Sequence, residues 1–141
     1  MIRIIEVNES KTSAIIALIE MKYKYSFSEA TKINKFGVDI TLYSENVSTN
    51  NIVYEEVKVG HLEEFYDKVS THMWFIIEGE GTFVIDDEKV EISKNDLIVV
   101  PPKKRIHYFG RMKMVLCTTP AFNPKNEVHV RFVDESESPY K

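Results

Sequence analysis

From Lys35 onward the chain repeats one pattern: apolar residues at every second position, in short runs broken by polar or glycine-containing segments. The runs are 38–43 (VDITLY), 51–59 (NIVYEEVKV), 72–77 (HMWFII), 81–86 (GTFVID), 89–92 (KVEI), 96–100 (DLIVV), 112–117 (MKMVLC) and 127–133 (EVHVRFV). A period of two marks a strand with one buried face, and about eight such strands with regularly spaced turn signals define a sandwich or small barrel. The fold class is therefore all-β. Asp86-Asp87-Glu88-Lys89 reads as a hairpin turn by composition, and Gly79-Glu80-Gly81 as a turn rather than a nucleotide loop, since Val84 stands where a third glycine is required.

The ends lack this pattern. Residues 1–34 form an N-terminal extension in which SAIIALIEMKY reads as a short helix capped by Asn8 or Ser10, or as a strand, with helix the preferred reading. Residues 134–141, DESESPYK, offer few apolar anchors and are expected to fray as a flexible tail. The barrel then spans 35–133, and 141 residues suffice for one core.

Charge narrows the partners. With 18 basic against 22 acidic residues and a net charge of −4, no overall field draws in nucleic acid. The single cysteine, Cys117, cannot form an internal disulfide, and on its apolar strand it reads as buried and inert. SAIIALI is too short to cross a bilayer and is not followed by a small-residue cleavage site, so neither membrane nor export is expected and the cytoplasm is the default location.

Between Gly60 and Cys117 an apolar strand ends in glycines, a polar hairpin follows, and KNDLIVVPP leads to a histidine a few residues on. In this combination the chain resembles the cupin superfamily, and CTTPAFNPKNEVHV resembles the closing strand of single-domain bacterial cupins. The resemblance implies a double-stranded β-helix, or jelly-roll barrel, of the RmlC-like kind with a small molecule bound inside. It also implies a homodimer, with VDITLY and NIVYEEV as candidate interface strands.

The family's first motif has two histidines one residue apart, then a glutamate, then six residues and a glycine. With Gly79 as that glycine, His72 takes the place of the glutamate, and the histidine pair falls on Tyr66 and Lys68 or on Phe65 and Asp67. In the second motif Asn95 replaces the first glycine and the following residues lead into Pro101 at the family's distance. The motif's histidine is Ile106 when counted from Pro101 and His107 when counted from Pro102. His107 faces the interior only if the Lys103-Lys104-Arg105 loop is one residue longer than usual.

These replacements leave the metal-ligand set incomplete, so a divalent transition metal is not the expected occupant. Were one bound, His72 and His107 would be its ligands, and Lys68 would oppose it by charge. The expected function is a small-molecule-binding cupin that recognises a sugar-like or anionic metabolite. The alternative is an enzyme: a metal-free sugar isomerase or epimerase, as the resemblance to nucleotide-sugar cupins implies, or a metal-dependent one using His72 and His107. In the metal-free case His72, His107 and Tyr66 move protons beside a carbonyl.

Glu64, Lys68, Trp74, Arg105 and Tyr108 are the candidate ligand contacts. Glu64 shares a strand face with Tyr66, Trp74 is able to stack on a sugar, and Arg105 belongs to a basic segment suited to a phosphate or carboxylate. His129, between Val128 and Val130, reads as an outer-face residue without chemistry.

Overall fold

The computed structural model describes residues 2–9, 12–19, 23–43 and 47–140. Its strands are β1 (Ile2–Glu9), β2 (Thr12–Ile19), β3 (Thr31–Lys35), β4 (Val38–Leu42), β5 (Asn51–Val57), β6 (Gly60–Asp67), β7 (Thr71–Ile85), β8 (Glu88–Ser93), β9 (Leu97–Val100), β10 (Ile106–Thr119) and β11 (Glu127–Phe132). No α-helix occurs among the described residues. The helix expected after Asn8 is instead strand β2, paired antiparallel with β1 in a separate two-stranded sheet with Ile5 opposite Ile16. Isoleucine and threonine lose side-chain freedom in a helix and suit a pleated pair. Ser10, one of the two expected caps, lies outside the described residues.

The other nine strands form one sheet folded over on itself. Its spine is the long antiparallel pair β7–β10, which runs from Ile85 opposite Ile106 to Thr71 opposite Thr119. The first half of β10 and the second half of β7 pair with β6 and β8, and β11 extends this layer beyond β6. The second half of β10 and the first half of β7 pair with β5 and β9, and β4 and β3 extend that layer beyond β5. One core fills the space between the layers, built from Phe83, Ile92 and Ile106 of the first and Val57, Trp74, Ile98 and Met114 of the second.

What lets two long strands serve both layers is a bend at their middle. A Cβ on Gly79 would lie 1.9 Å from the Arg111 carbonyl oxygen, and Gly79 has φ +93°, a left-handed conformation that favours glycine. Across the pair, a Cβ on Gly110 would meet the Glu80 carbonyl at 2.6 Å. A register shift places Lys113 opposite Glu78 but Met114 opposite Ile76, so Ile77 is an extra residue at the bend. The expected turn at Gly79-Glu80-Gly81 is thus a kink inside a continuous strand, and the two runs on either side of it are one element.

Alternation sets what each strand contributes. On β7, His72, Trp74 and Ile76 are buried inward, while Phe75 and Ile77 stay partly exposed on the outer face. On β10, Ile106, Tyr108, Met112 and Met114 point inward and belong to the core. Where the second cupin motif has glycines, Asn95 and, counted from Pro101, Lys103 keep positive φ, +74° and +71°.

The segment expected to fray is docked through Tyr140. Val133 is buried with Val84 and Phe109, Tyr140 packs on them, and Ser138, 3% exposed, donates its hydroxyl to the Val59 carbonyl at 2.8 Å. An Asp134–Glu137 capping box closes its short 3-10 turn. Polar composition misled here because the anchors are two hydrophobic side chains and one hydroxyl.

Gly79→Ala should cost roughly 2 kcal/mol or more, from the left-handed backbone and the carbonyl collision together. Equilibrium unfolding in urea reads this directly as a lower midpoint.

Candidate active site

The inward residues at one end of the core enclose a cavity. Its floor and walls are Val53 and Glu55 of β5, His61 and Phe65 of β6, His72 and Trp74 of β7, and Tyr108, Leu116 and Thr118 of β10. Ile33, Lys35, Phe122 and Glu127, all less buried, form its mouth. A wider cleft of about 490 Å³, against about 120 Å³ for the inner cavity, lies outside along Glu56, Lys58, Glu78, Arg111 and Lys113. Size does not mark the site here, because no buried titratable group lines the wider cleft.

Glu55 is the centre of the inner site. It alternates with Val53 and Val57 on the buried face of β5 and is 4% exposed. Trp74 Nε1 donates to Glu55 Oε1 at 2.8 Å, and the Tyr108 hydroxyl donates to the same oxygen at 3.0 Å. Burial raises the Glu55 pKa, against the lowering effect of those two hydrogen bonds. Burial and the neighbouring Glu55 push Tyr108 well above the usual phenol range, so its hydroxyl is protonated at neutral pH.

Two imidazoles face the same space. His61, 5% exposed, lies against Phe65 and Tyr108 with ring centroids 5.1 and 5.3 Å away. Its Nδ1 is 2.7 Å from the Glu63 carbonyl oxygen. A carbonyl can only accept, so Nδ1 carries the proton and the neutral ring keeps a free lone pair on Nε2. Burial lowers the His61 pKa to about 4, which holds the ring neutral through the physiological range. His72 stacks on Trp74 at 5.4 Å, and its pKa is lowered by burial, opposed by Asp67 and a hydrogen bond to the Ser70 backbone. At the mouth, Lys35 Nζ reaches Glu127 Oε1 at 2.5 Å.

Of the residues expected from the sequence, the structure brings His72, Trp74 and Tyr108 to this cavity and leaves the others outside. His107 is buried but lies on the opposite face of β10 from Tyr108, beside Phe109 and 3.4 Å from Glu64. Ile106 occupies the motif's histidine position and points inward, so the loop is not extended and the count from Pro101 is the right one. Glu64 lies with His107 in an outer cluster, 3.5 Å from Arg105 and 3.4 Å from Arg131. Arg105 is further engaged by Asp87 at 2.8 Å. Tyr66 follows the inward Phe65 on β6 and is half-buried outside the cavity, and Lys68 is exposed.

His72 and His107 therefore cannot share an ion, which corrects their pairing as the ligands of a metal, were one bound. No group of three or more His, Cys, Asp or Glu able to hold a metal occurs among the described residues. Within the cavity Phe65 lies against both imidazoles, and Glu55 already accepts two donors, so these residues do not fit a cupin metal centre.

Sequence reasoning missed Glu55, His61, Lys35 and Glu127. Glu55 had a readable signal, a carboxylate at period two between two valines. His61 was hidden by an irregular β6, and Lys35 and Glu127 meet only through the fold.

A cupin-domain family model matches residues 53–115. Pac13 of Streptomyces, described as a nucleoside dehydratase, superposes with a TM-score of 0.83 at 45% identity, over 85% of this chain and 100% of that one. Variants of Pac13 at two tyrosines and one histidine have been solved with uridine. KdgF of a Halomonas species shares the fold at a TM-score of 0.62 and 11% identity, covering 74% of this chain and 98% of its own. An uncharacterized protein of Methanocaldococcus jannaschii is 34% identical over 58 residues, 38% of this chain; the match spans only about half of that relative, 46%. The chain belongs to the cupin superfamily. It is a small-molecule-acting cupin barrel, and no helix among its described residues is long and apolar enough to cross a membrane.

The imidazoles and the carboxylate make stability pH-dependent in opposite senses. The His61 contribution is complete above pH 6.5 and is lost as pH falls toward its folded pKa of about 4, a change of about 3 kcal/mol. His72 acts in the same direction. Glu55, with its raised pKa, contributes below the ordinary carboxylate range and loses that contribution as pH rises. The difference between wild type and His61→Gln isolates the first effect: urea unfolding from pH 7 to pH 4 should show a steeper loss in the wild type.

Proposed function

We propose that this cupin eliminates water from a polyhydroxylated, nucleoside-like molecule that bears a carbonyl. The observation that carries this reading is a neutral imidazole with a free nitrogen, His61, set side by side with a proton-holding Tyr108–Glu55 pair on the wall of one apolar cavity. The similarity to Pac13 supports the reaction and the substrate class.

A carbonyl is required because a sugar C–H is too weak an acid for imidazole unless the resulting charge is delocalised. His61 Nε2 takes the proton from the carbon beside the carbonyl, and the electron pair passes into the enolate. Lys35, at the mouth, is placed to stabilise that oxygen. The pair then returns to form the carbon–carbon double bond as the C–O bond at the next carbon breaks. The leaving hydroxyl takes a proton from the Tyr108–Glu55 pair and departs as water, and solvent resets His61 and Glu55 after release. Trp74 fixes Glu55, and the apolar wall excludes competing water. Isomerisation would share the first step and differ in returning the proton to carbon; its expected residues His107 and Tyr66 lie outside the cavity.

The test is incubation with a panel of nucleosides and their oxidised, carbonyl-bearing forms, with conjugated product followed by absorbance and mass. Loss of one water is expected from a carbonyl-bearing nucleoside. His61→Gln and Tyr108→Phe should each lower kcat by about 10²–10⁴. Binding without any water loss across the panel would sink the proposal and return the chain to the class of non-catalytic binders.

If the expected homodimer forms, the outer face of β9, β7 and β5 is the surface suited to it. Leu97 and Val99 of β9, Phe75 of β7 and Ile52 of β5 are 42–54% exposed there. In that case Phe75→Asp would shift sedimentation from dimer to monomer.

A further inference from the structure

Strand β6 departs from the regular ladder at the point where it presents His61. His61 is opposite Tyr108 and Phe65 is opposite Ile106, so three residues of β6, Leu62 to Glu64, span a gap that a single residue of β10 fills. This bulge takes the Glu63 carbonyl out of the ladder and turns it back onto His61 Nδ1, at 2.7 Å. The bulge is held on its other side by Leu62, whose N–H donates to the Phe36 carbonyl and whose carbonyl accepts from Val133 N–H.

The Glu63 side chain is also unusual. It is 5% exposed, its Oε1 has no hydrogen-bond partner, and its Oε2 accepts a 2.8 Å hydrogen bond from His129 Nδ1. A buried carboxylate with one partner is costly, and without that partner it turns toward water. His129 is on the neighbouring strand β11, packed on Phe132 at a centroid distance of 4.5 Å, and Phe132 in turn packs on Phe36.

We propose that His129 is a positioning residue for the site: by holding the Glu63 carboxylate it keeps the β6 bulge folded, so that the Glu63 carbonyl fixes His61 with its proton on Nδ1 and its lone pair on Nε2 in the cavity. The consequence for turnover rests on the reading of His61 as the proton acceptor; the tautomer itself does not. Loss of the lock leaves the ring free to exchange tautomers, and the Nε2–H form cannot accept a proton from a bound molecule. His129 thereby acts through two intermediates, the Glu63 side chain and its own carbonyl, without touching the cavity.

Two-bond ¹H–¹⁵N spectra of the full chain labelled at histidine distinguish the two neutral tautomers, and the His61→Gln spectrum assigns the His61 signals among the four histidines. Wild type at pH 7 should show His61 wholly as Nδ1–H. His129→Ala should bring in the Nε2–H form and lower kcat by about tenfold or more with KM little changed, the scale on which loss of an orienting partner acts. His129→Asn, which restores a donor to Glu63, should recover the wild-type tautomer. Arg131→Gln, on the same strand, serves as a destabilised control and should leave the tautomer unchanged. A His129→Ala protein whose His61 remains entirely Nδ1–H overturns the proposal, as does a tautomer shift equally produced by Arg131→Gln. Absence of water elimination in the wild type would instead overturn the proposed function, and the spectra would still decide the role of His129.

Discussion

Everything in this molecule depends on two strands approaching so closely at their midpoints that neither tolerates a side chain there. Gly79 and Gly110 let β7 and β10 bend together, with backbone carbonyls where Cβ atoms would otherwise stand. The bend converts one hydrogen-bonded pair into the spine of two layers and closes the core between them. It also places the first half of β7, with His72 and Trp74, against the inner face that β5 and β10 offer. The cavity follows from this geometry: its walls come from strands far apart in sequence.

Within that frame the costliest group to bury is Glu55, and its surroundings are arranged around it. Trp74 and Tyr108 each surrender their one polar hydrogen to the same carboxylate oxygen, so three buried polar groups satisfy one another inside an apolar core. The price is a carboxyl group with raised proton affinity and a phenol that does not ionise. In a cupin whose metal-ligand pattern is incomplete, the polar centre of the cavity is thus a hydrogen-bonded carboxyl, phenol and indole.

The fold was legible in the sequence wherever alternation was clean. Period two in 38–43, 51–59 and 96–100 located β4, β5 and β9, and the cupin likeness supplied the topology. Strand β6 was not located because Glu63, Glu64 and Asp67 break its apolar period. These are buried charges that meet partners on β10, β11 and the following loop through only some of their oxygens, which no local pattern reveals. For the site, alternation correctly paired His72 with Trp74, and it could not decide whether Ile106 or His107 faces the interior because that choice depended on the length of one turn. His129 was read as chemically silent from its outer-face neighbours; its link to Glu63 exists only because β11 lies beside β6.

The Lys35–Glu127 pair gives the cavity mouth a further property. Its ammonium is already neutralised by a carboxylate 2.5 Å away, and the carboxylate would remain behind if the lysine turned to a guest. A phosphorylated molecule entering here must compete with Glu127 for the cation and then sit beside that carboxylate. A molecule without net charge meets no such penalty and can use both ends of the pair as donor and acceptor. The mouth thus offers an incoming molecule a paired donor and acceptor, and its lysine is not an uncompensated positive charge.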